Sequence, residues 1–292
     1  MRLALVGSGR VAQGLATWLD GNGQVVAVIS RSKEKARQLA ASLASAQPVT
    51  WDEPFPEADW WFLAVRDDVL PDVDRSLDEK GAYASARLVT HTSGAHSAYA
   101  LERAHARGIP VASVHPLYPF ASGERLALQE VFFALEGDEE ALKVVEAWLD
   151  HWHAPHRRLR TDQKPLYHAA AVLASNAMVT LLGAAEGLIR KLELPVEDVF
   201  PALGHLAESA LRQARRLGPV AALTGPIQRG EYTTVLAHRK ALLDQAPEVW
   251  PLYRALARAT LPLARQRGVA PPEVLDAIAE LLDASEGKGA LP

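Results

Sequence analysis

A lysine, a histidine, a serine and an asparagine interrupt the otherwise apolar run KPLYHAAAVLASNAMVTLLGAAEG, which begins at residue 164. At about 100° per residue, Lys164, His168 and Ser175 fall within about 40° of one another on a helix surface, and Asn176 stands about 80° round from His168. Histidine exchanges a proton near pH 7, so His168, or Lys164 beside it, is suited to donate one to a substrate. Ser175 and Asn176 are suited to hold a small polar molecule by hydrogen bonds. The spacing therefore offers acid–base chemistry on a small substrate. A purely structural reading stays open: Lys164 at the surface, His168 bonded across a dimer interface, and Ser175 bonded back to a helical carbonyl.

The second reactant has an address at the other end of the chain. Gly7-Ser8-Gly9-Arg10-Val11-Ala12 is a G-x-G-x-x-A fingerprint lying between the apolar strand RLALVG and a run of helical spacing. The first glycine permits a tight turn and the second lets the backbone approach a pyrophosphate. The small Ala12 allows close packing, and the helix N-terminus supplies unpaired N–H groups. About 20 residues on, where a carboxylate would mark NAD, the chain reads Ser30-Arg31-Ser32-Lys33. A carboxylate there would repel a 2′-phosphate. Arg31 can grip one, with the hydroxyls and Lys33 as further donors, so the expected cofactor is NADP.

Three strand ends carry polar residues at the edge where ligands bind in open α/β sheets. The strand DWWFLAV runs from Val65 into Arg66-Asp67-Asp68, RLVTH into Thr92-Ser93-Gly94, and PVASV into His115-Pro116-Leu117. Val65, Arg66, Thr92 and Ser93 are expected to line the nicotinamide half of the site, with His115 as a further candidate for catalysis. His91 reads as a packed strand histidine, and Asp67 and Asp68 read as caps of the next helix. In the second half, LTGPIQRGEYTT (223–234) reads as a fixed interhelical loop. Its Arg229 is placed either to clamp a substrate carboxylate or to pair with Glu231.

These residues need a scaffold, and the periodicity supplies one. Strands are expected at 2–7, 24–30, 59–65, 87–91, 110–115 and 131–137, and at a last edge near 156–160. Helices are expected at 32–44, 68–79, 97–107 and 138–152. Strands alternating with helices predict a mostly parallel sheet covered on both faces. Beyond residue 160 the pattern turns helical, over 164–191, 196–217, 233–244, 247–267 and 271–284. The fold class is α/β: an N-terminal Rossmann dinucleotide-binding sheet (1–160) and an all-α C-terminal domain (161–292). Only the tail SEGKGALP reads as disordered.

Composition sets the outer bounds. Hydrophobic residues form 49% of the 292 residues, charged residues 23%, and the net charge is −4, which points away from nucleic-acid and membrane surfaces. The N-terminal apolar run is too short for a signal peptide, and no 18-residue apolar span is expected elsewhere, so a cytoplasmic protein is expected. The absence of cysteine removes disulfides and thiolate chemistry. His151, His153 and His156 cluster without a carboxylate motif, and no metal site is expected.

Taken together, VGSGRVAQGLA, AVRDD, VTHTSG, HPLYPF, YHAAAVLASN and TGPIQRGE resemble the Rossmann-like proteins with a helical C-terminal domain of unknown function. These lie in the 6-phosphogluconate-dehydrogenase-like superfamily, beside pyrroline-5-carboxylate reductase and ketopantoate reductase. The resemblance implies an NADP-binding domain, an all-α domain of a kind that often dimerises, and an active site in the cleft between the two. The β-hydroxyacid dehydrogenases of that superfamily carry a catalytic lysine with an asparagine one helical turn later. Here Lys164 is followed at that spacing by His168. The expectation is an NADP(H)-dependent oxidoreductase acting on a small C=O or C=N substrate. The alternative is a non-catalytic NADP-binding sensor or scaffold.

Overall fold

The computed structural model describes residues 1–22, 24–120 and 127–284; the SEGKGALP tail lies outside the described residues. The chain divides into two compact units, Met1–Ser175 and Asn176–Pro292. The boundary expected at 160 falls earlier than this division.

The first unit is built on β1 (Leu3–Val6), β2 (Val25–Ile29), β3 (Gln47–Val49), β4 (Trp60–Leu63), β5 (Leu88–His91), β6 (Val111–Leu117), β7 (Phe132–Gly137) and β8 (His156–Arg158). They form one sheet in the order β3-β2-β1-β4-β5-β6-β7-β8. All neighbours are parallel except β6 and β7. The connecting helices are α1 (Arg10–Asn22), α2 (Lys33–Ala40), α3 (Leu70–Glu79), α4 (Glu102–Ala106) and α5 (Glu139–His151), and α6 (Lys164–Ala174) follows β8. The expected α/β architecture is the observed one.

Strand residues alternate between two cores, as a period of two requires. Leu3, Leu5, Phe62 and Phe133 pack with α1 and α5 residues such as Leu15 and Trp148. Ala4, Val6, Leu63 and Val89 pack with Leu70, Leu77 and Ala104 from α3 and α4. Each fully buried leucine or phenylalanine contributes roughly 2 kcal/mol, so both faces of the sheet are firmly fastened. The strand order then brings the carboxyl ends of β1, β4, β5 and β6 to one edge.

The second unit comprises α7 (Asn176–Lys191), α8 (Val196–Leu217), the short α9 (Pro219–Ala222) and α10 (Pro226–Arg229), then α11 (Tyr232–Gln245), α12 (Trp250–Arg267) and α13 (Pro272–Asp283). Its core gathers Val235, Leu242, Trp250, Leu261, Leu275 and Ile278.

Two sequence expectations are corrected here. The helix expected over 164–191 is broken: Ser175 caps α6 with φ −121° and ψ −75°, and α7 starts afresh at Asn176. The common helical projection of Lys164, His168 and Ser175 therefore ends one residue short. An apolar span also exists where none was expected. Thr161–Lys191 is long and apolar enough, by length and composition, to cross a membrane, with a mean hydropathy of 1.5 and no part of its apolar window buried. Its ionisable residues sit near its two ends, leaving an Ala-, Val- and Leu-rich middle.

Candidate functional site

The β1–α1 turn is shaped for close backbone approach. Gly7 adopts φ +118°, and its N–H donates to the Ile29 carbonyl at 2.8 Å. A Cβ at Gly7 would overlap the Ala64 carbonyl, lying 2.9 Å from its carbon, whereas one at Gly9 would meet open space. Arg10 and Val11 open α1, which leaves their N–H groups unpaired within the helix. Ser8 and Ser30 share a hydroxyl–hydroxyl bond of 2.8 Å, which ties the turn to the end of β2. These features fit a dinucleotide: an open backbone face at Gly9, free N–H groups at α1, and a polar strand end beside them.

The donor set expected for a 2′-phosphate is reduced. Arg31 is exposed and has no hydrogen-bond or ion-pair partner among the described residues. Ser32 caps α2, accepting from the Lys35 N–H. Lys33 is committed elsewhere: its Nζ donates to the Pro48 carbonyl at 2.8 Å and to both Glu53 oxygens at 2.6 Å. Arg66 pairs with Asp68, so neither Asp67 nor Asp68 caps the following helix by its side chain. Val65 is half-buried beside them.

At the ends of β5 and β6 the sheet assembles a cluster of titratable groups. His91 is fully buried; its Nδ1 accepts from the Ser93 N–H at 3.1 Å, and its Nε2 donates to the Ser97 carbonyl at 3.0 Å. Thr92 and Ser93 are buried. The Ser93 hydroxyl accepts from the Ala95 and His96 N–H groups, closing a turn. The Ser93 carbonyl receives the Ser113 hydroxyl at 3.0 Å. The helix α6 docks on this edge. Lys164 is only 2% exposed, and its Nζ donates to Ser113 Oγ at 2.5 Å and to the Ser93 carbonyl at 3.2 Å.

Lys164 is thus neither a surface residue nor free to reach a substrate. Burial pulls its pKa down to about 8, against the raising influence of Glu136 and Asp67. Glu136 is itself buried, accepting from the Ala98 N–H and the Thr161 hydroxyl, and so holds the approach to α6.

His115 and His168 converge on Gly94. A Cβ there would lie 2.7 Å from His115 Nε2 and 2.6 Å from His168 Nδ1, so only glycine leaves room for both rings. The ring centroids are 5.9 Å apart at 83°. His168 Nδ1 is buried without a hydrogen-bond partner. His115 Nδ1 is bonded to the Tyr167 hydroxyl at 3.0 Å. Burial, with the nearby Lys164 and His168 charges, pushes the His115 pKa down to about 4. Burial and the Lys164 charge hold His91 down at about 3. Both rings are neutral at pH 7.

The structure brings Ser93, His115, Lys164 and His168 together. Ser175 serves as the end of α6, its N–H bonded to the Ala171 carbonyl, and its side chain has no bond to this cluster. Asn176 opens α7 in the second unit, exposed. Arg229, also in the second unit, spends its Nε on Glu231 Oε1 at 2.5 Å, which is the pairing alternative of the two expected for it. Among the described residues no three His, Asp or Glu side chains gather as a metal site.

Sequence reasoning missed Ser113, Glu136 and Tyr167, and named Gly94 only as part of a strand end. Ser113 and His115 share a strand face, two apart, and Tyr167 lies three from Lys164 on one helix, so spacing could have found both. Glu136 was signalled by a carboxylate inside the apolar strand FFALEG.

Residues 2–90 match the family described as NADP oxidoreductase, coenzyme F420-dependent, and residues 131–260 match a domain of unknown function (DUF2520). None of the curated proteins matches the chain. Among solved structures, protein TM1727 from Thermotoga maritima is 23% identical, with 95% of this chain and 98% of that one aligned at a TM-score of 0.69. The reductive aminase from Aspergillus terreus, in complex with NADPH and ethyl levulinate, is 16% identical, with coverages of 97% and 98% and a TM-score of 0.62. Pyrroline-5-carboxylate reductase from Coxiella burnetii is 14% identical, with coverages of 96% and 98% and a TM-score of 0.53. At these identities the structural likeness shows the fold alone, a Rossmann sheet followed by helices; residues 2–90 are similar to the NADP oxidoreductase family, and residues 131–260, which begin at β7 and run into the helical unit, are similar to the domain of unknown function.

Proposed function

We propose that this chain, with its Rossmann domain of the NADP oxidoreductase type and its helical domain of the unknown-function family, is an NADP(H)-dependent oxidoreductase for a small C=O or C=N substrate. The observation that carries the reading is the meeting of His115, Tyr167 and His168 at the edge of β5 and β6. That edge is two to three strands from the glycine turn of β1, about 10–15 Å at the usual strand spacing. The N–H groups of the Gly7–Val11 turn would hold the pyrophosphate, Arg31 with Ser30 the 2′-phosphate, and Val65, Arg66, Thr92 and Ser93 the nicotinamide side. A reduced nicotinamide bound there supplies a hydride. His168 holds the proton for the substrate heteroatom, and Lys164 braces the strand ends against α6.

His168→Ala should lower turnover by roughly 10²–10³-fold and leave NADPH affinity within about twofold, in a screen of oxo and imino compounds followed by NADPH oxidation. Unchanged turnover, or collapse of NADPH binding, would overturn the assignment. A nucleotide-binding sensor or scaffold is the second reading, favoured by the commitment of Lys164 Nζ to Ser93 and Ser113. It predicts that the wild type binds NADPH and oxidises it with none of these compounds.

The chain is also read as a homodimer. Leu166 and Leu173 on α6 are 79% and 70% exposed, and Val179 and Leu206 in the second unit 71% and 67%. Apolar surface of that extent needs a cover, and a second copy supplies an identical apolar surface. Light scattering should give twice the monomer mass. A monomer that partitions onto lipid vesicles would contradict the dimer and give the apolar stretch to a membrane.

A further inference from the structure

His115, within β6 and opposite Ala134 of β7, has one ring nitrogen engaged and one free. Nδ1 meets the Tyr167 hydroxyl at 3.0 Å, the two rings standing nearly perpendicular, 86° at 5.6 Å. Nε2 has no hydrogen-bond partner among the described residues and abuts Gly94, where a side chain is missing. A neutral imidazole carries one donor and one acceptor nitrogen, and a phenol can play either part. The Tyr167 hydroxyl has His115 as its only hydrogen-bond partner among the described residues. Were it to accept from Nδ1–H, its own proton and the basic Nε2 lone pair would both go unpaired, whereas donating satisfies the basic nitrogen and leaves one donor, Nε2–H, open towards Gly94. Burial pushes the Tyr167 pKa up to about 12, which keeps that proton in place.

We propose that Tyr167 fixes His115 as its Nε2–H tautomer, so that an uncharged N–H donor faces Gly94 and polarises the carbonyl oxygen of a substrate. The tautomer follows from the hydrogen-bond inventory alone; the carbonyl partner rests on the oxidoreductase reading above. A neutral imidazole can act as such an electrophile when its pKa is depressed. The donor also narrows the substrate class. A carbonyl oxygen has lone pairs to accept the bond and gains negative charge as it is reduced. An iminium nitrogen has no lone pair to offer, so among C=N substrates only the neutral imine could accept the same bond. Tyr167 acts through His115 and is a positioning residue.

The test is the protonation state of the two His115 nitrogens, read by ¹⁵N NMR on the full chain labelled at histidine, at pH 7 and without nucleotide. His115→Asn assigns the signals. The expected wild-type spectrum has Nε2 protonated and Nδ1 bare, and Tyr167→Phe shifts His115 to a mixture of tautomers. A wild-type His115 protonated on Nδ1, or a tautomer indifferent to Tyr167→Phe, overturns the proposal; the first outcome needs no variant to fold. In turnover, Tyr167→Phe should lose roughly tenfold in kcat with a carbonyl substrate, with KM for NADPH unchanged. The expected tautomer without reduction of any carbonyl compound would refute the carbonyl assignment and the oxidoreductase reading and leave the tautomer assignment standing.

Discussion

Gly7→Ala should cost the protein its dinucleotide affinity and about 3 kcal/mol or more of stability. The backbone at Gly7 holds φ +118°, a region that side chains rarely adopt and that costs about 1–3 kcal/mol. The added methyl would also overlap the Ala64 carbonyl, a further 1–3 kcal/mol or so of overpacking. Neither neighbour can yield. Gly7 N–H is tied to Ile29 at 2.8 Å, and Ala64 N–H to the Val6 carbonyl at 2.8 Å, so relief on one side breaks the sheet on the other. Six of the seven tryptophans precede residue 175, which makes tryptophan fluorescence in urea a report on the first unit. Gly9→Ala is the contrast, because its Cβ meets nothing within 4 Å. It should leave stability within about 0.5 kcal/mol and still lose NADPH affinity, since the methyl stands where the pyrophosphate would approach. Wild-type stability in Gly7→Ala would contradict the turn geometry.

Acidification from pH 7 to pH 5 should destabilise the first unit through two buried histidines. In the unfolded chain His91 and His115 bind protons near pH 6.5. In the folded chain burial holds them at about 3 and about 4. Between those values the unfolded state carries the extra protons, so the stability from these two neutral rings is complete above pH 6.5 and is lost as pH falls towards 4. At pH 5 the loss is about 2 kcal/mol for each ring, or about 4 kcal/mol for the pair. His91→Gln keeps a donor for Ser97 and an acceptor for Ser93, and should show about half the loss between pH 7 and pH 5 in the same fluorescence assay. A first unit equally stable at both pH values would show that these rings are not held neutral.

The sheet was legible because its strands are short apolar runs closed by glycine or polar residues, and because the helices between them switch to a period of 3.6. β3 escaped notice since QPV is a three-residue edge strand containing proline, which carries no periodic signal. The break at Ser175 has neither proline nor glycine to announce it. The glycine turn could be read in full, because its requirements are local. The commitments of cofactor and acid–base residues could not. Lys33 looked free because Glu53 is 20 residues away, and Lys164 was read as a possible proton donor because its partners, Ser93 just past β5 and Ser113 on β6, are 71 and 51 residues away. Such pairings are made by topology and leave no trace in spacing. His115 was visible at its strand end, whereas its meeting with Tyr167 required knowing that α6 folds back onto that edge.

We propose that this chain binds NADP(H) through the glycine turn and Arg31. The most direct test is titration of wild type and Arg31→Asp with NADPH and NADH, followed by tryptophan quenching. Wild type should prefer NADPH by roughly tenfold or more, as the loss of a charge-assisted phosphate contact implies, and Arg31→Asp should abolish the preference while still binding NADH. Equal affinity of wild type for both nucleotides, or no binding of either, would contradict it.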